Sequence, residues 1–328
     1  MSAHRQAGAR GAVHRALAPA KVNLGLFVGP ARASDRRHEL VTVMQSISLA
    51  DELTLEQAPA GAERDEILCP GVPGPAEQNL AAAALRAFRA STGWDAPPQR
   101  LSIVKRIPLA AGLAGGSADA AATLRLASHA SGLGDRRLLR ELGAQLGADV
   151  PAQIAPGRWL ATGAGEQLSE LPTPPPSLGL LVLPAAVGLS TAAVYNETDR
   201  LGTTRGVQQL PQLRAQLLAA LADGSPLPAV AELLHNDLQH AAISLCPEIA
   251  RRLELALKMG ADLALVSGSG PTVIGLFAPS AARAADGIER SELAAARMHG
   301  HTPAPICAAP VDATFGLCVT IPDRQPDE

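Results

Sequence analysis

Residues 108–128 read PLAAGLAGGSADAAATLRLAS, and the order of residue types in this stretch decides the fold. An apolar strand from Leu101 through Ile107 and Pro108 leads into it. Gly112, Gly115 and Gly116 then fall within five residues, and the Ala-rich run that follows favours helix. Strand, glycine-rich turn and helix in that order aim free N–H groups and a positive dipole end at one point, which suits a phosphate. The glycines remove Cβ atoms where a ligand can approach the backbone, and Ser117 is placed to cap the helix. A tight turn packed on a sheet uses the same residues, so the type of loop has to be asked. The P-loop pattern needs Gly-Lys-Ser/Thr, and the chain has no Gly-Lys dipeptide. The dinucleotide pattern GxGxxG fails as well, because Gly268 and Gly270 are followed by Val273 and the Gly112 run is GxxGG.

Outward from this loop, 328 residues exceed what one core usually holds, so two domains are expected. The proline run PTPPPS at 172–177 can continue neither helix nor central strand and marks the break, giving domains at 16–171 and 178–321. The first reads as α+β. Val22, Leu24, Leu26 and Val28 alternate within a strand over 16–28, and further strands are expected over 40–47 and 51–55. Helices are expected over 80–90 and over 135–146, the latter with Leu138, Leu139, Leu142 and Leu146 on one stripe and Asp135 as its cap. Past the break come a strand at 178–183, helices at 210–221 and 249–259, and a strand, turn and strand over 262–277.

Composition narrows the class. With 47% hydrophobic residues, 18% charged residues and a net charge of −3, the chain is an ordinary globular protein without the basic excess of a nucleic-acid binder. Its four cysteines show no CxxC or Cys/His spacing, so neither a zinc site nor a disulfide framework is indicated and a reducing cytoplasm fits. Prolines and Gly-Ser clusters interrupt the charge-free stretches 171–196 and 263–282, which argues against a membrane span. Arg5, Arg10 and Arg15 without an apolar segment argue against a secretory signal, and the charged tail from Asp323 is expected to be disordered.

Only three of the 28 basic residues are lysines, Lys21, Lys105 and Lys258. Lys21 sits in an apolar strand, where an unpaired ammonium is costly, so it should meet an anion unless it merely snorkels. Asp149, between Gly147 and Val150-Pro151, is either a turn former or that anion. His38 is by itself as good a surface cap as a ligand, and Tyr195, the only tyrosine, as good a core residue as a stacking platform.

Taken in order, the blocks PAKVNLGL from Pro19, HELVTVMQSISLADELTL from His38, the 108–118 loop, GADVP from Gly147 and GSGPTV from Gly268 resemble the GHMP kinases over about residues 18–277. The form GGSADAA resembles one branch in particular. The resemblance implies an α+β, two-domain GHMP kinase fold with the active site in the interdomain cleft. It implies ATP binding by Lys105, Pro108, Leu109, Ala110, Ala111, Gly112, Leu113, Ala114, Gly115, Gly116, Ser117 and Ala118, with Asn79 as a looser addition. It implies catalysis by Lys21 and Asp149, the carboxylate accepting or orienting a substrate hydroxyl and the lysine easing charge on the transferring phosphoryl. Asn23, His38, Thr191 and Tyr195 are implied to hold an acceptor of the cytidine diphosphate sugar alcohol type. The activity implied is ATP-dependent phosphorylation of the 2-hydroxyl of a diphosphocytidyl methylerythritol in non-mevalonate isoprenoid synthesis, with Mg²⁺ accompanying ATP, by a cytoplasmic monomer or homodimer. No carboxylate cluster stands out as a metal site.

One position departs from the pattern. The family's Gly-Tyr-His-Glu-Leu stands here as Arg36-Arg37-His38-Glu39-Leu40, so Arg37 replaces a tyrosine that stacks on the base. A planar guanidinium can stack on a base or pair with a diphosphate, or it can simply be solvated. Two rival readings stay open: a GHMP kinase acting on homoserine or mevalonate, and a non-catalytic nucleotide-binding module, against which the presence of both Lys21 and Asp149 argues.

Overall fold

The computed structural model describes residues 12–174, 177–225, 227, 231–279 and 286–321. Arg5, Arg10, part of the proline run and the tail from Asp323 lie outside them.

The chain opens with two long antiparallel strands, β1 (Val13–Ala31) and β2 (His38–Gln57). After β3 (Glu66–Leu68) come helix α1 (Leu80–Thr92), strand β4 (Gln99–Val104), and helices α2 (Gly115–Ser131), α3 (Arg136–Leu146) and α4 (Val150–Gln153). The hairpin β5 (Arg158–Thr162) and β6 (Gln167–Leu171) closes the first half. The second half runs β7 (Gly179–Leu183), α5 (Thr191–Leu201), α6 (Gln209–Leu221), α7 (Gln239–Leu245), α8 (Glu248–Lys258), β8 (Leu263–Val266), β9 (Val273–Phe277), α9 (Gly287–Arg297), β10 (Ile306–Ala308) and β11 (Val319–Ile321).

Among the described residues there are two sheets. The first has the order β11-β1-β2-β4-β3, with β5 and β6 added beside β2; the second has the order β10-β7-β9-β8. β11 pairs with β1, so the end of the chain crosses the expected boundary and returns to the first sheet.

The strand expected over 16–28 is present and longer, and Val22, Leu24, Leu26 and Val28 are all buried. Its other face is also buried, through Lys21, Asn23 and Phe27. Alternation alone could not show this, because part of what covers that face comes from the second half of the chain: the Phe27 ring stacks on His235, and Gly268 lies beside Asn23 and Lys21. The strands expected separately at 40–47 and 51–55 are one strand, β2, whose first part pairs with β5 through Thr42 to Gln45 and whose last part pairs with β4 through Glu52 to Gln57. A buried Asp51 sits inside it, where a turn is the usual reading of an acid in an apolar run. The strand expected to run through Pro108 stops at Val104.

Helix α2 is short-chained on all sides. Ala118, Ala122 and Leu126 pack on the sheet, and Ala120, Ala121 and Leu124 pack with α1 residues such as Leu85 and Phe88. Alanines let backbone approach backbone on both faces, holding the glycine loop rigidly over β1. Asp135 caps α3 as expected, accepting from the Leu138 N–H at 2.8 Å.

Candidate active site

The turn between β4 and α2 is built on unusual backbone. Ala110, Gly112 and Ala114 have φ of 51°, 74° and 55°, and two of these three carry a Cβ that disfavours the left-handed region. Ala114 offers no side-chain cap to α2. Ser117 lies within the first turn of the helix, so the cap expected from it is absent, because the helix begins two residues before it. The first N–H groups of α2 are left for another acceptor.

The three glycines have separate jobs. A Cβ at Gly112 would stand 2.5 Å from the Ser267 carbonyl oxygen and 2.9 Å from that of Gly270, so this glycine admits the 268–270 turn. At Gly115 it would meet the Ile107 side chain at 3.1 Å and Lys105 Nζ at 3.4 Å. Only at Gly116, which is exposed, is there nothing within 4 Å, and Gly116 is where a ligand can come against the helix start.

A main cleft of about 880 Å³ is lined by Lys21, Asn23, Arg37, His38, Lys105, Asp149, Thr191 and Tyr195 together with Pro108, Leu109, Ala110, Ala111, Gly112, Leu113, Ala114, Gly115 and Gly116. Ser117 and Ala118 do not line it, and Ala118 is fully buried. Beyond Lys105, Leu109 and Gly116 a second cavity of about 610 Å³ continues along Ile67 to Leu80, and Asn79 lines that one while its Oδ1 accepts from the Ala81 N–H as the cap of α1.

Lys105 stands where the two cavities meet, held by two acids that the sequence reading did not single out. Its Nζ donates to Asp51 and, at 2.7 Å, to Asp119. Asp51 also accepts the N–H groups of Arg106 at 2.5 Å and Ile107 at 2.8 Å, which fixes the start of the loop. Two carboxylates share one ammonium. Burial, with Asp51 adding to it and Lys105 opposing, pushes the Asp119 carboxyl up to about 7.

From the ordinary value near 3.8 up to about 7, the unfolded chain has lost this proton and the folded chain keeps it, so the group's contribution to stability falls as pH rises through that window. Asp119→Asn cannot ionise and keeps an acceptor for Lys105. Its stability relative to wild type should therefore grow between pH 5 and pH 8, by on the order of 1–3 kcal/mol, read from urea midpoints at the two pH values. An unchanged difference would show that Asp119 is ionised throughout.

At the centre of the cleft Lys21 Nζ lies 3.6 Å from Asp149 Oδ2, the lysine buried and the aspartate about one third exposed. A register shift in β1 between Pro19 and Lys21 turns the lysine toward the cleft, and α4 begins directly after Asp149, whose side chain caps nothing and is left available. Asn23 lines the cleft, but both ends of its amide are engaged: Oδ1 accepts from Lys21 Nζ at 2.8 Å and Nδ2 donates to Thr42 Oγ1 at 2.8 Å, which in turn donates to the Gly25 carbonyl at 2.7 Å. The chain of bonds orients the lysine.

The far wall holds His38, Tyr195, Arg37 and Thr191. His38 Nδ1 donates to the Gly29 carbonyl at 2.8 Å, its Nε2 faces Asp199 at 3.4 Å, and its ring lies 5.1 Å from that of Tyr195. Burial pushes the Tyr195 phenol up to about 12, Asp149 adding to this and Arg37 opposing it, so the three groups share one neighbourhood. Arg37 donates Nη2 to the Ala164 carbonyl at 2.6 Å, which ties the β1–β2 loop to the β5–β6 turn and leaves its other donors free. Thr191 Oγ1 lies 3.0 Å from Ser269 Oγ of the 268–270 turn.

The profile of the GHMP kinases N terminal domain matches residues 79–157, and that of the GHMP kinases C terminal region matches residues 217–294. The 4-diphosphocytidyl-2-C-methyl-D-erythritol kinase of Salinispora tropica is 41% identical over 92% of this chain and 95% of its own. The kinase of the same name from Streptomyces coelicolor is 43% identical over 82% of this chain and 89% of its own. The crystal structure of a 4-(cytidine 5'-diphospho)-2C-methyl-D-erythritol kinase superposes with a TM-score of 0.69 at 31% identity, covering 90% of this chain and 98% of that one. A homoserine kinase from Cytophaga hutchinsonii superposes nearly as well, with a TM-score of 0.68, but at 17% identity it shows the shared fold alone. What separates the two comparisons is sequence carried through nearly the whole chain, and on that ground the chain belongs to the GHMP kinases, in the family of 4-diphosphocytidyl-2-C-methyl-D-erythritol kinases.

Proposed function

We propose that this chain transfers the γ-phosphoryl group of ATP to the 2-hydroxyl of 4-diphosphocytidyl-2-C-methyl-D-erythritol, a step of non-mevalonate isoprenoid precursor synthesis, in the cleft lined by residues of both halves of the chain. The observation that carries the reading is the 3.6 Å pair of Lys21 and Asp149, set between the open helix start at Gly116 and the wall formed by His38 and Tyr195. The triphosphate lies against the start of α2, with its nucleoside end in the cavity past Lys105. The acceptor lies against His38, Tyr195, Thr191 and Arg37. Asp149 accepts a hydrogen bond from the acceptor hydroxyl or orients it, and Lys21 pairs with that carboxylate and offsets charge on the moving phosphoryl. In a loose phosphoryl-transfer transition state, positioning and charge do most of the work, which suits a site whose lysine is oriented by Asn23 and Thr42.

Among the described residues no group of three or more His, Cys, Asp or Glu side chains converges as a metal cage, and Asp51 and Asp119 are engaged by Lys105. Mg²⁺ accompanies the nucleotide and is held through its phosphates. No described helix is long and apolar enough to cross a membrane. The four cysteines, without pairing or metal-site spacing, suit a reducing compartment, and on that ground we place the reaction in the cytoplasm.

The test is ADP release in a coupled assay with the cytidine diphosphate substrate, homoserine and mevalonate in parallel. Release stimulated only by the cytidine compound supports the reading, and equal or greater stimulation by either other alcohol overturns it. Within the same assay Arg37→Ala should raise KM for the cytidine substrate about 5- to 30-fold while kcat and KM for ATP hold, because it removes a contact made in ground and transition state alike. An unchanged KM would leave Arg37 as a tether of Ala164 only.

A further inference from the structure

We infer that Asn236 is a positioning residue for Lys21, acting through the glycine turn at 268–270; the inference rests on the catalytic reading of Lys21 given above. Asn236 is buried, on the segment His235 to Asp237 that lies alongside the end of β1. The Leu26 N–H donates to the His235 carbonyl at 2.7 Å, and the Asp237 N–H donates to the Leu26 carbonyl at 2.9 Å, so the backbone on either side of Asn236 is locked to the strand that carries Lys21.

From that anchor the carboxamide reaches the opposite way. Nδ2 donates to the Val266 carbonyl at 2.7 Å and to the Gly268 carbonyl at 2.8 Å, while Oδ1 accepts the Leu238 N–H at 2.9 Å. Its two donors are spent on the end of β8 and on the turn that follows it, and its carbonyl oxygen holds its own backbone. The turn it grips lies beside the catalytic lysine. A Cβ at Gly268 would stand 3.3 Å from the Gly112 carbonyl oxygen, 3.4 Å from Asn23 Oδ1 and 3.7 Å from Lys21 Nζ.

Asn236 is thus a spacer between β1 and the turn that closes over Lys21. Loss of its two N–H groups leaves two buried carbonyls unpaired and lets the turn move relative to the ammonium. An aspartate would present oxygens to oxygens, a leucine no donor. The role of Asn236 comes from what its amide holds.

A double-mutant cycle on the intact chain separates positioning from general support. Lys21→Ala alone checks the underlying reading, and near-normal turnover there removes it. With Lys21→Ala impaired, Asn236→Ala in the wild-type background should lower kcat about 10- to 100-fold, the scale of an ångström-sized misplacement. KM for ATP and for the cytidine substrate should stay within about 2-fold, since neither ligand is touched. Added to Lys21→Ala, the same substitution should lower the remaining turnover by less than about 2-fold, because the group it positions is gone. Equal losses in both backgrounds, an unchanged kcat, or an effect confined to KM overturns the inference while leaving the role of Lys21 intact. Should Asn236→Ala fail to fold, Asn236→Ser, which keeps an acceptor for the Leu238 N–H but offers one donor where the amide offers two, is carried through the same cycle with the same outcomes deciding.

Discussion

Asp149→Asn should lower kcat about 10²- to 10⁴-fold, the range spanned by positioned acid–base groups, while the chain still folds and still binds ATP. The size follows from what is removed. An amide of the same shape occupies the same place beside Lys21 but can neither take a proton nor hold the acceptor hydroxyl as a charged acceptor, and that interaction strengthens as the hydroxyl attacks. The fold should survive because the Asp149 side chain caps no helix, so little structure depends on its charge. Single-turnover phosphorylation, with ATP affinity measured separately by calorimetry, is the check. A loss appearing only in the KM of the acceptor would mark Asp149 as a binding residue, and turnover within a few-fold of wild type would move the catalytic centre elsewhere.

Gly116→Asp should weaken ATP binding by on the order of 100-fold or more without unfolding the chain. Here the structure changes the choice of position. Gly115 and Gly116 look equivalent in the sequence, yet a side chain at Gly115 would press on Ile107 and come beside Lys105, where a carboxylate finds a partner. At Gly116 the added Cβ meets nothing, so the carboxylate occupies open space over the first N–H groups of α2, and an acid at a helix start is itself favourable. The substitution puts the protein's own anion where the phosphate belongs. Calorimetric titration with ATP on a variant of unchanged melting temperature tests it, and unaltered affinity would place the phosphates away from α2.

These two experiments draw on different sources. The turn and helix start proposed to take the phosphates were legible in the sequence because they are local: glycines, then alanines, within a dozen residues of one strand end, and helix starts carry their dipole wherever they are placed. The pairing of Lys21 with Asp149 was legible only through the resemblance of ordered blocks, since 128 residues separate them and neither alone excludes a bland role. Asn79 was drawn into the nucleotide pocket for a similar reason and is found lining the cavity past Lys105, capping α1 as it does so. Asp51 could not have been found by pattern. A single acid in an apolar run reads as a break between strands, and it survives inside β2 because Lys105 and two loop N–H groups neutralise it from another part of the chain.

By itself, then, the sequence determined what depends on neighbours along the chain: the Asp135 cap, the glycine-rich turn with the helix after it, the order of the motifs and through them the family. Backbone conformation and hydrophobic period are properties of a few consecutive residues, and they persist in any context that buries the apolar face. Tertiary structure alone decided which glycine opens onto the cleft, that Asn23 bonds Lys21 rather than standing free, that Arg37 reaches Ala164, that Asn236 bonds the Gly268 carbonyl, and that β11 returns to β1. Each of these depends on strand register and on which element covers which face, and both are set by burial summed over the whole chain, a quantity no local stretch contains.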